Sequence, residues 1–433
     1  MPLGTTGAVG SRSDGGGIGA ASEDAVVIEF GKRGGEPSVI TVNCPDQPGL
    51  GCDLCRTILE FGLCITRGDV STDGQWCYVV FWVVPCSASL NVHWTSLKNR
   101  LLSVCPTCSI PFYVDSNRPA ASQVYLLKLF SADRKGLLHD VTQVLCELEL
   151  LIHRVKVSTT PDGRVIDLFF ITDGMELLHT KKRQDETCEL LNAALGPSVS
   201  CEILPAEGFQ QGFSSLPPAV AEELFMPEFS DGETYSQSLS LDMKKLNKAS
   251  VSFDNSLSPA HTLLQIHCVD QKGLLYDIMR TLKDCNIQIN YGRFLSDTKG
   301  FREVDLFIQQ TDRKKILDPQ KQEVLSSRLR SEMLHPLRVM IVSRGPDTEL
   351  LVANPVELSG KGRPRVFYDA TRALKALGIC IFSAEIGRQT ASERQWEVYR
   401  FLLDESREFP LANSRGNRDQ VVDRVRRTLM GWR

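Results

Sequence analysis

One short sequence pattern occurs three times in the chain: an aspartate, a glycine three residues later, and a second aspartate four residues after the glycine. It reads DQPGLGCD at residues 46–53, DRKGLLHD at 133–140 and DQKGLLYD at 270–277, each time directly after a short apolar segment. Sequences aligned on these loops stay in register downstream. Such self-similarity is typical of a chain built from repeated structural units, and it restricts the fold to an array of them.

The second copy shows the unit most clearly. The run VYLLKLFS precedes the loop, LLHDVTQVLCELE follows it with helical spacing of apolar residues, and the runs LIHRVKVST and RVIDLFFIT flank the turn TPDG. A second helix and a short strand end each copy, and the last strands read CSIPFYV, VSCEIL and LRVMIV. The order β-α-β-β-α-β predicts an α+β fold of tandem ferredoxin-like units, each an antiparallel sheet with helices on one face.

A fourth copy without the loop pattern follows at the C-terminal end, and a stretch rich in Ser, Pro and Gly between copies two and three divides the chain into two pairs of copies. Edge-to-edge packing within each pair would place the loops at shared interfaces. Because the fourth copy has no last strand, we expect Val26–Phe30 to cover a sheet edge. The predicted divisions are a disordered tail (1–24), copy one with an extra strand (25–116), copy two (121–205), a linker (206–260), copy three (261–344) and the degenerate copy four (347–433).

Charge and apolar run length exclude some partners. With a formal net charge of −4 and a pI near 6.0, the chain has no overall basic field that would attract nucleic acid. The longest apolar runs fall far short of the roughly 20 residues that cross a bilayer. The first 24 residues lack the apolar segment of a secretory signal. We therefore expect a soluble protein of the cytoplasm or nucleus with neither nucleic-acid nor membrane partners.

Fourteen cysteines without a secretory signal favour free thiols in a reducing compartment. Two Cys-x-x-Cys pairs, Cys52 with Cys55 and Cys105 with Cys108, raise the question of a zinc site. Packing is the stronger interpretation of the first pair because it lies within a predicted amphipathic helix, and the second pair has no histidine nearby. We predict no metal and no cofactor.

Each loop joins the end of a strand to the start of a helix, where backbone N–H groups lack intrahelical partners. These donors and the helix dipole favour a carboxylate, the glycine permits close approach, and the neighbouring aspartate can accept hydrogen bonds from an ammonium group. Together these groups suit the zwitterion of a free amino acid. The alternative is that the first aspartate only caps the helix and that the leucines belong to the core.

The loops DRKGLLHD and DQKGLLYD, set in β-α-β-β-α-β units and repeated without a catalytic domain, resemble the ACT domain. The whole arrangement is similar to the plant ACT domain repeat family and to the C-terminal sensory region of bacterial uridylyltransferase/uridylyl-removing enzyme. The resemblance implies amino-acid sensing, with the ligand held where two domains meet. Carried onto this sequence, it implies as ligand-binding residues Asp46, Gly49, Leu50, Asp133, Gly136, Leu137, Asp270, Gly273 and Leu274.

The fourth copy departs from the pattern and reads NPVELSGKGRPRVFYD in the corresponding region. Asn354 and Gly362 are the nearest counterparts of the first aspartate and the glycine, while Arg363 and Arg365 make this loop basic. We therefore expect copy four to support its partner copy structurally and not to bind a ligand.

Catalytic motifs are missing from the sequence. The seven histidines are scattered, and no HExxH, GxSxG or phosphate-loop motif occurs. His139 lies inside a repeated loop, but copies one and three carry Cys52 and Tyr276 at its place, so we expect packing and no catalytic role. We predict a non-catalytic protein. Two classes remain open, an amino-acid sensor and an interaction scaffold that docks other proteins or a second copy of the chain through its sheet edges.

Overall fold

The computed structural model describes residues 25–32, 35–87, 91–106, 123–196, 198–210, 212, 216–226, 249–296, 300–345, 347–391, 394–404 and 414–432. The predicted tail (1–24) and the strand CSIPFYV (108–114) lie outside these ranges. The helices within them are α1 (Leu50–Glu60), α2 (Trp94–Val104), α3 (Leu137–Glu147), α4 (Lys181–Leu195), α5 (Pro218–Phe225), α6 (Leu274–Asp284), α7 (Pro319–Leu334), α8 (Val366–Ala376) and α9 (Arg415–Met430).

The strands follow the predicted repeat, so the α+β fold of ferredoxin-like units is confirmed. Alternating burial along β4 and helical spacing of the buried residues of α1 show the expected periods of 2 and 3.6. The strands are β1 (Val26–Glu29), β2 (Ser38–Pro45), β3 (Leu63–Thr72), β4 (Trp76–Pro85), β5 (Tyr125–Ala132), β6 (Leu150–Thr159), β7 (Arg164–Asp173), β8 (Ser200–Pro205), β9 (Ser250–Asp254), β10 (Thr262–Val269), β11 (Ile287–Ser296), β12 (Phe301–Gln310), β13 (Arg338–Arg344), β14 (Asp347–Pro355), β15 (Ile381–Ala391) and β16 (Arg394–Leu403).

The copies pair in alternation along the chain. One eight-stranded sheet has the order β1-β2-β4-β3-β11-β12-β10-β9 and joins copies one and three; the other, β13-β14-β16-β15-β6-β7-β5-β8, joins copies four and two. The expected division into sequence-adjacent pairs is therefore wrong. At the first junction Phe294 lies opposite Gly68, and a Cβ on Gly68 would come 3.1 Å from the ring of Phe294. This close fit of β11 against β3 favours pairing of copy three with copy one.

Three of the sheet edges are covered by strands that precede their copy. β1 pairs with β2, which is the role expected for Val26–Phe30. β13, expected as the last strand of copy three, instead pairs with β14 and covers the edge of copy four. β9 lies inside the expected linker and pairs with β10 of copy three. Backbone N–H and C=O groups on a bare edge need partners, and these preceding strands supply them.

Helices cover one face of each sheet, and the two helical faces meet in the middle of the molecule. Ile58 and Phe81 belong to the apolar core of the first sheet, and Leu145 and Phe169 to that of the second. Contacts between the helical faces are polar as well as apolar: Arg56 on α1 donates hydrogen bonds to Glu357 and to the backbone oxygen of Gly362 in copy four. The outer face of the second sheet is partly covered by α5, which comes from the expected linker.

Two disulfides contradict the expectation that the cysteines are free. Cys64 pairs with Cys86, which ties the start of β3 to the residue after β4, and Cys188 pairs with Cys201, which ties α4 to β8. The expectation failed because it used cysteine number and compartment, whereas the disulfides depend on side chains that the fold brings together. No helix among the described residues is long and apolar enough to cross a membrane.

Candidate functional site

The glycine of each repeated loop is the residue that starts the helix. Gly49, Gly136 and Gly273 have left-handed φ angles of 87°, 78° and 74°, and none of the three helices has a side-chain cap. Side chains other than glycine rarely adopt this conformation, so the loop requires glycine for its backbone alone. The alternative in which the first aspartate caps the helix is therefore wrong.

The first aspartates make other contacts. Asp46 accepts a hydrogen bond from the hydroxyl of Thr72, and Asp270 forms an ion pair with Arg302 at 2.6 Å. Asp133 lies beside the buried carboxyl of Asp167. The leucines that follow the glycines belong to the core, as the alternative proposed, with exposed fractions of 1%, 5% and 3% for Leu50, Leu137 and Leu274.

The second aspartate of the pattern, at the fourth position of each first helix, binds a cation from another copy. In copy one, Asp53 accepts from Lys283 of copy three, and in copy two, Asp140 accepts from Lys375 of copy four. Between copies three and four, each copy supplies a cation to the aspartate of the other. Asp277 pairs with Arg363 at 2.9 Å, and Asp369 pairs with Lys272 at 2.5 Å.

In copies one and two, the same lysines fill the space over the loop glycine. A Cβ on Gly49 would lie 2.6 Å from Cε of Lys283, and one on Gly136 would lie 2.8 Å from Cδ of Lys375. The space left beside the loop of copy two is about 20 Å³, which is room for about one water molecule. In this conformation the loop of copy two therefore has no space for an amino acid, and the loop glycine of copy one is covered by Lys283.

The loop of copy three borders a cavity of about 610 Å³. Lys283 and Lys375 are the tenth residues of α6 and α8, whereas the tenth residue of α1 is Leu59, which lines the cavity. The glycine of copy three is covered by Arg363 of copy four, and the cavity lies to one side of it. Three copies form the walls. They include Leu59 and Cys64 of copy one, Asp270 and Phe294 of copy three, and Arg424 and Trp432 of copy four.

The cavity of copy three has polar groups with unused hydrogen-bonding capacity. Arg302 donates two hydrogen bonds to Oδ1 of Asp270 and others to the backbone oxygens of Ile65 and Thr66, and no described residue bonds to Oδ2 of Asp270. Within the described part of the chain, the amides of Leu275 and Tyr276 in the first turn of α6 donate to no acceptor. Asp270 and the first-turn residues Leu275 and Tyr276 all line one cavity. This is the arrangement that a zwitterion requires.

The C-terminal end of copy four holds this loop in place. The amide of Lys272 donates to the backbone oxygen of Met430, and the indole Nε1 of Trp432 donates to the backbone oxygen of Asp270 at 3.0 Å. Arg363 is buried beneath the loop and donates to the backbone oxygens of Lys272 and Leu429 as well as to Asp277. Burial raises the pKa of Asp277 to about 6, although Arg363 and Arg280 act in the opposite direction.

In copy four, the counterpart of the loop glycine is Arg365, not Gly362 as expected from the sequence. Arg365 starts α8 with φ of 63°, and Gly362 lies in the bridge to Val356. Asn354 holds the inserted segment, because its side chain bonds to both backbone groups of Arg363. The expected supporting role of copy four thus has a structural basis in the position of Arg363.

The sequence interpretation missed the lysines and treated Arg363 only as part of a basic loop. Lys283 and Lys375 share one helix position in copies three and four, which was a visible signal. Each lysine pairs with an aspartate of the copy that faces it, and an alignment of the repeats does not show which copies face each other.

Asp167 on β7 is a buried acid close to the loop of copy two. Its side chain is 2% exposed, and Oδ1 has no hydrogen-bond partner among the described residues. Burial, and to a smaller extent the charge of Asp133, raise the pKa of Asp167 from 3.8 to about 7. A carboxyl with a raised pKa in the folded state binds more protons when folded, so the stability that it contributes is lost as pH rises from about 4 to about 7.

We expect Asp167→Asn to raise the free energy of unfolding at pH 8 by roughly 2–4 kcal/mol, because the amide avoids a buried charge. At pH 5 the difference between the two proteins should be smaller by roughly 2 kcal/mol, since Asp167 is then protonated in the folded state although it is still ionised in the unfolded state. Urea unfolding at both pH values measures this. Asp162→Asn, at a fully exposed site in the same hairpin, is the control and should show no such pH dependence. An equal effect of Asp167→Asn at pH 5 and pH 8 would contradict the assignment.

Cysteine and histidine side chains near the loops have packing roles. Cys52 and Cys55 are buried on α1, and burial raises the pKa of Cys52 to about 12. Sγ of Cys52 lies near carboxylates of Asp53 and Glu357, but the ammonium of Lys283 bonds to Asp53 and lies 4.0 Å from Glu357. His139 packs on Tyr368 with ring centroids 5.0 Å apart, and burial lowers its pKa to about 4.

Family profiles match three parts of the chain. The profile described as "ACT domain-containing protein ACR10, N-terminal" matches residues 28–106, and "ACR9-like, ACT-like domain" matches 250–347. A third profile, "ACT domain-containing protein ACR9, C-terminal", matches residues 348–431. The second match starts at β9 and ends with β13, so it includes both strands that the sequence interpretation placed differently.

Whole-chain relatives give the same result. ACT domain-containing protein ACR9 of Arabidopsis thaliana is 64% identical over 96% of this chain and 100% of its own length. ACT domain-containing protein ACR10 of the same plant is 51% identical over 96% of this chain and 100% of its own length. The bifunctional uridylyltransferase/uridylyl-removing enzyme of Gluconobacter oxydans is 24% identical over 49% of this chain and 19% of its own length. The chain therefore belongs to the ACR9- and ACR10-like family of ACT domain-containing proteins.

Proposed function

We propose that this protein is a non-catalytic amino-acid sensor in which copy three holds the ligand. The observation that carries the proposal is the cavity of about 610 Å³ beside the loop of residues 270–277, at a boundary shared by copies one, three and four. Ligand sites of this size commonly lie at boundaries between domains. The cytoplasm or nucleus is the proposed compartment.

The groups around the cavity assign a role to each part of the ligand. The free Oδ2 of Asp270 would accept hydrogen bonds from the ammonium group, and the amides of Leu275 and Tyr276 would donate to the α-carboxylate. The apolar side chains of Leu59 and Phe294 offer a surface for the methylene groups. Asp46, Gly49, Leu50, Asp133, Gly136 and Leu137 would then act structurally, because lysines occupy the space over their loops.

Ligand binding can be coupled to the arrangement of the two sheets. Asp270 directly follows β10 of the first sheet. Arg424 lies on α9, which packs on the second sheet, and Trp432 follows that helix. A ligand that contacts both would favour the arrangement in which these groups surround it, and only such unequal affinity can shift an equilibrium.

Calorimetric titration of the full chain with each of the twenty amino acids tests the proposal. We expect at least one to bind, and Asp270→Asn to weaken that binding by about tenfold or more, since hydrogen bonds to a charged group contribute about 1.5–3 kcal/mol. Asp133→Asn is the matched control and should bind as the unmodified protein does.

An interaction scaffold is the second candidate, and the lysine-filled loops of copies one and two favour it. In a scaffold, the edge strands β1, β8, β9 and β13 would dock other proteins or a second copy. Absence of both heat and thermal shift with every amino acid at millimolar concentration would support this alternative and reject the sensor.

A further inference from the structure

The charged residues around the cavity of copy three are not balanced. Asp270 and Arg302 neutralise each other as an ion pair, and the buried ammonium of Lys272 is neutralised by Asp369. Two further cations, Arg372 on α8 and Arg424 on α9, line the cavity and are exposed to solvent. Neither guanidinium forms an ion pair with a carboxylate of the residues that the structure describes.

Arg372 and Arg424 therefore leave two positive charges uncompensated at the cavity. The nearest acids on their helices are used elsewhere, because Asp369 pairs with Lys272 and Asp423 pairs with Arg427. A guanidinium presents a planar set of donors that matches a carboxylate in a two-bond geometry. In the proposed site the amides of α6 bind the α-carboxylate of the ligand. Arg372 and Arg424 can therefore bind a second anionic group.

We infer that the cavity of copy three selects an amino acid with a carboxylate side chain over its uncharged counterparts. This inference rests on the proposed function and specifies the ligand class. In this arrangement Asp270 accepts from the ammonium, the first turn of α6 donates to the α-carboxylate, and Arg372 and Arg424 donate to the side-chain carboxylate. Copy four thereby contributes directly to recognition, although its own loop has lost the glycine.

L-glutamate and L-glutamine provide the sharpest test because they have nearly the same shape and differ by one charge. Calorimetry on the full chain at low salt should give about tenfold or greater preference for glutamate, as expected from two exposed charge interactions. Raising the ionic strength should reduce this preference. L-aspartate against L-asparagine is the second matched pair and determines whether the shorter side chain reaches the arginines.

Variants distinguish binding of the side-chain carboxylate from binding of the ammonium and α-carboxylate groups that all amino acids share. Arg372→Gln combined with Arg424→Gln should lower glutamate affinity to that of glutamine and leave glutamine affinity unchanged. Arg415→Gln, an exposed position at the other end of α9, is the matched control and should leave both affinities unchanged.

Each outcome decides between the hypotheses. Equal binding of glutamate and glutamine would overturn the inference and leave the proposed function intact. Absence of binding by any amino acid would reject the proposed function and the inference with it. Displacement of glutamate by millimolar inorganic phosphate, with loss of that effect in the double variant, would show that the arginines read phosphate and would also overturn the inference.

Discussion

Arg363→Met should lower the free energy of unfolding by about 3–5 kcal/mol, the range observed when one member of a buried ion pair is removed. The guanidinium of Arg363 is almost completely buried and pairs with Asp277, which is 0% exposed. Without Arg363, this carboxylate stays buried with Arg280 as its remaining cationic neighbour, 3.5 Å away. The backbone oxygens of Lys272 and Leu429 also lose a donor. Urea unfolding followed by circular dichroism at pH 7 measures the loss.

Lys375→Met is the matched control. Lys375 makes the equivalent ion pair with Asp140, but its side chain is 44% exposed and Arg134 remains as a second partner of Asp140. Exposed ion pairs contribute about 0–1 kcal/mol, so this variant should be nearly as stable as the unmodified protein. Equal losses in the two variants would contradict the view that burial makes the pair between copies three and four the stronger connection.

Gly273→Ala should destabilise the protein by about 3 kcal/mol, from two separate effects. A left-handed backbone costs a residue with a Cβ roughly 1–2 kcal/mol, and overpacking of a buried site costs a further 1–3 kcal/mol. A Cβ on Gly273 would lie 2.9 Å from Nη2 of Arg363, which is itself fixed by Asp277. Chemical unfolding of the variant measures the sum of the two effects.

Gly163→Ala separates the effects. Gly163 has φ of 75°, close to the 74° of Gly273, but a Cβ there would meet nothing within 4 Å. This control should lose only the backbone contribution of roughly 1–2 kcal/mol. Equal losses of unfolding free energy in Gly273→Ala and Gly163→Ala would show that contact with Arg363 is not a reason why this loop requires glycine.

The repeat and its α+β unit could be predicted from the sequence because both signals are local. Alternation in β4 and helical spacing in α1 are properties of ten or eleven consecutive residues. Strand pairing is not local, since the pattern of a strand says which face is buried and not which neighbour it has. For this reason β13 was assigned to copy three although it pairs with β14, and the pairing of β3 with β11 was missed.

The candidate site was predictable only in part, for the same reason. The loops could be located from their glycines, but three copies of one pattern carry no signal about which one has space beside it. The side chains that cover the glycines come from distant parts of the chain: Lys283, which bonds to an aspartate 230 positions earlier, covers Gly49, and Arg363 covers Gly273. The position in α1 that corresponds to Lys283 is Leu59, whose side chain lines the cavity of copy three.

The number of amino-acid molecules bound per chain tests the central claim most directly. A calorimetric titration of the full chain with the amino acid that binds measures this number. We expect one molecule per chain, held by the loop of residues 270–277, and loss of this binding in Asp270→Asn. Two or three molecules per chain, or binding that survives Asp270→Asn and disappears in Asp133→Asn, would contradict it.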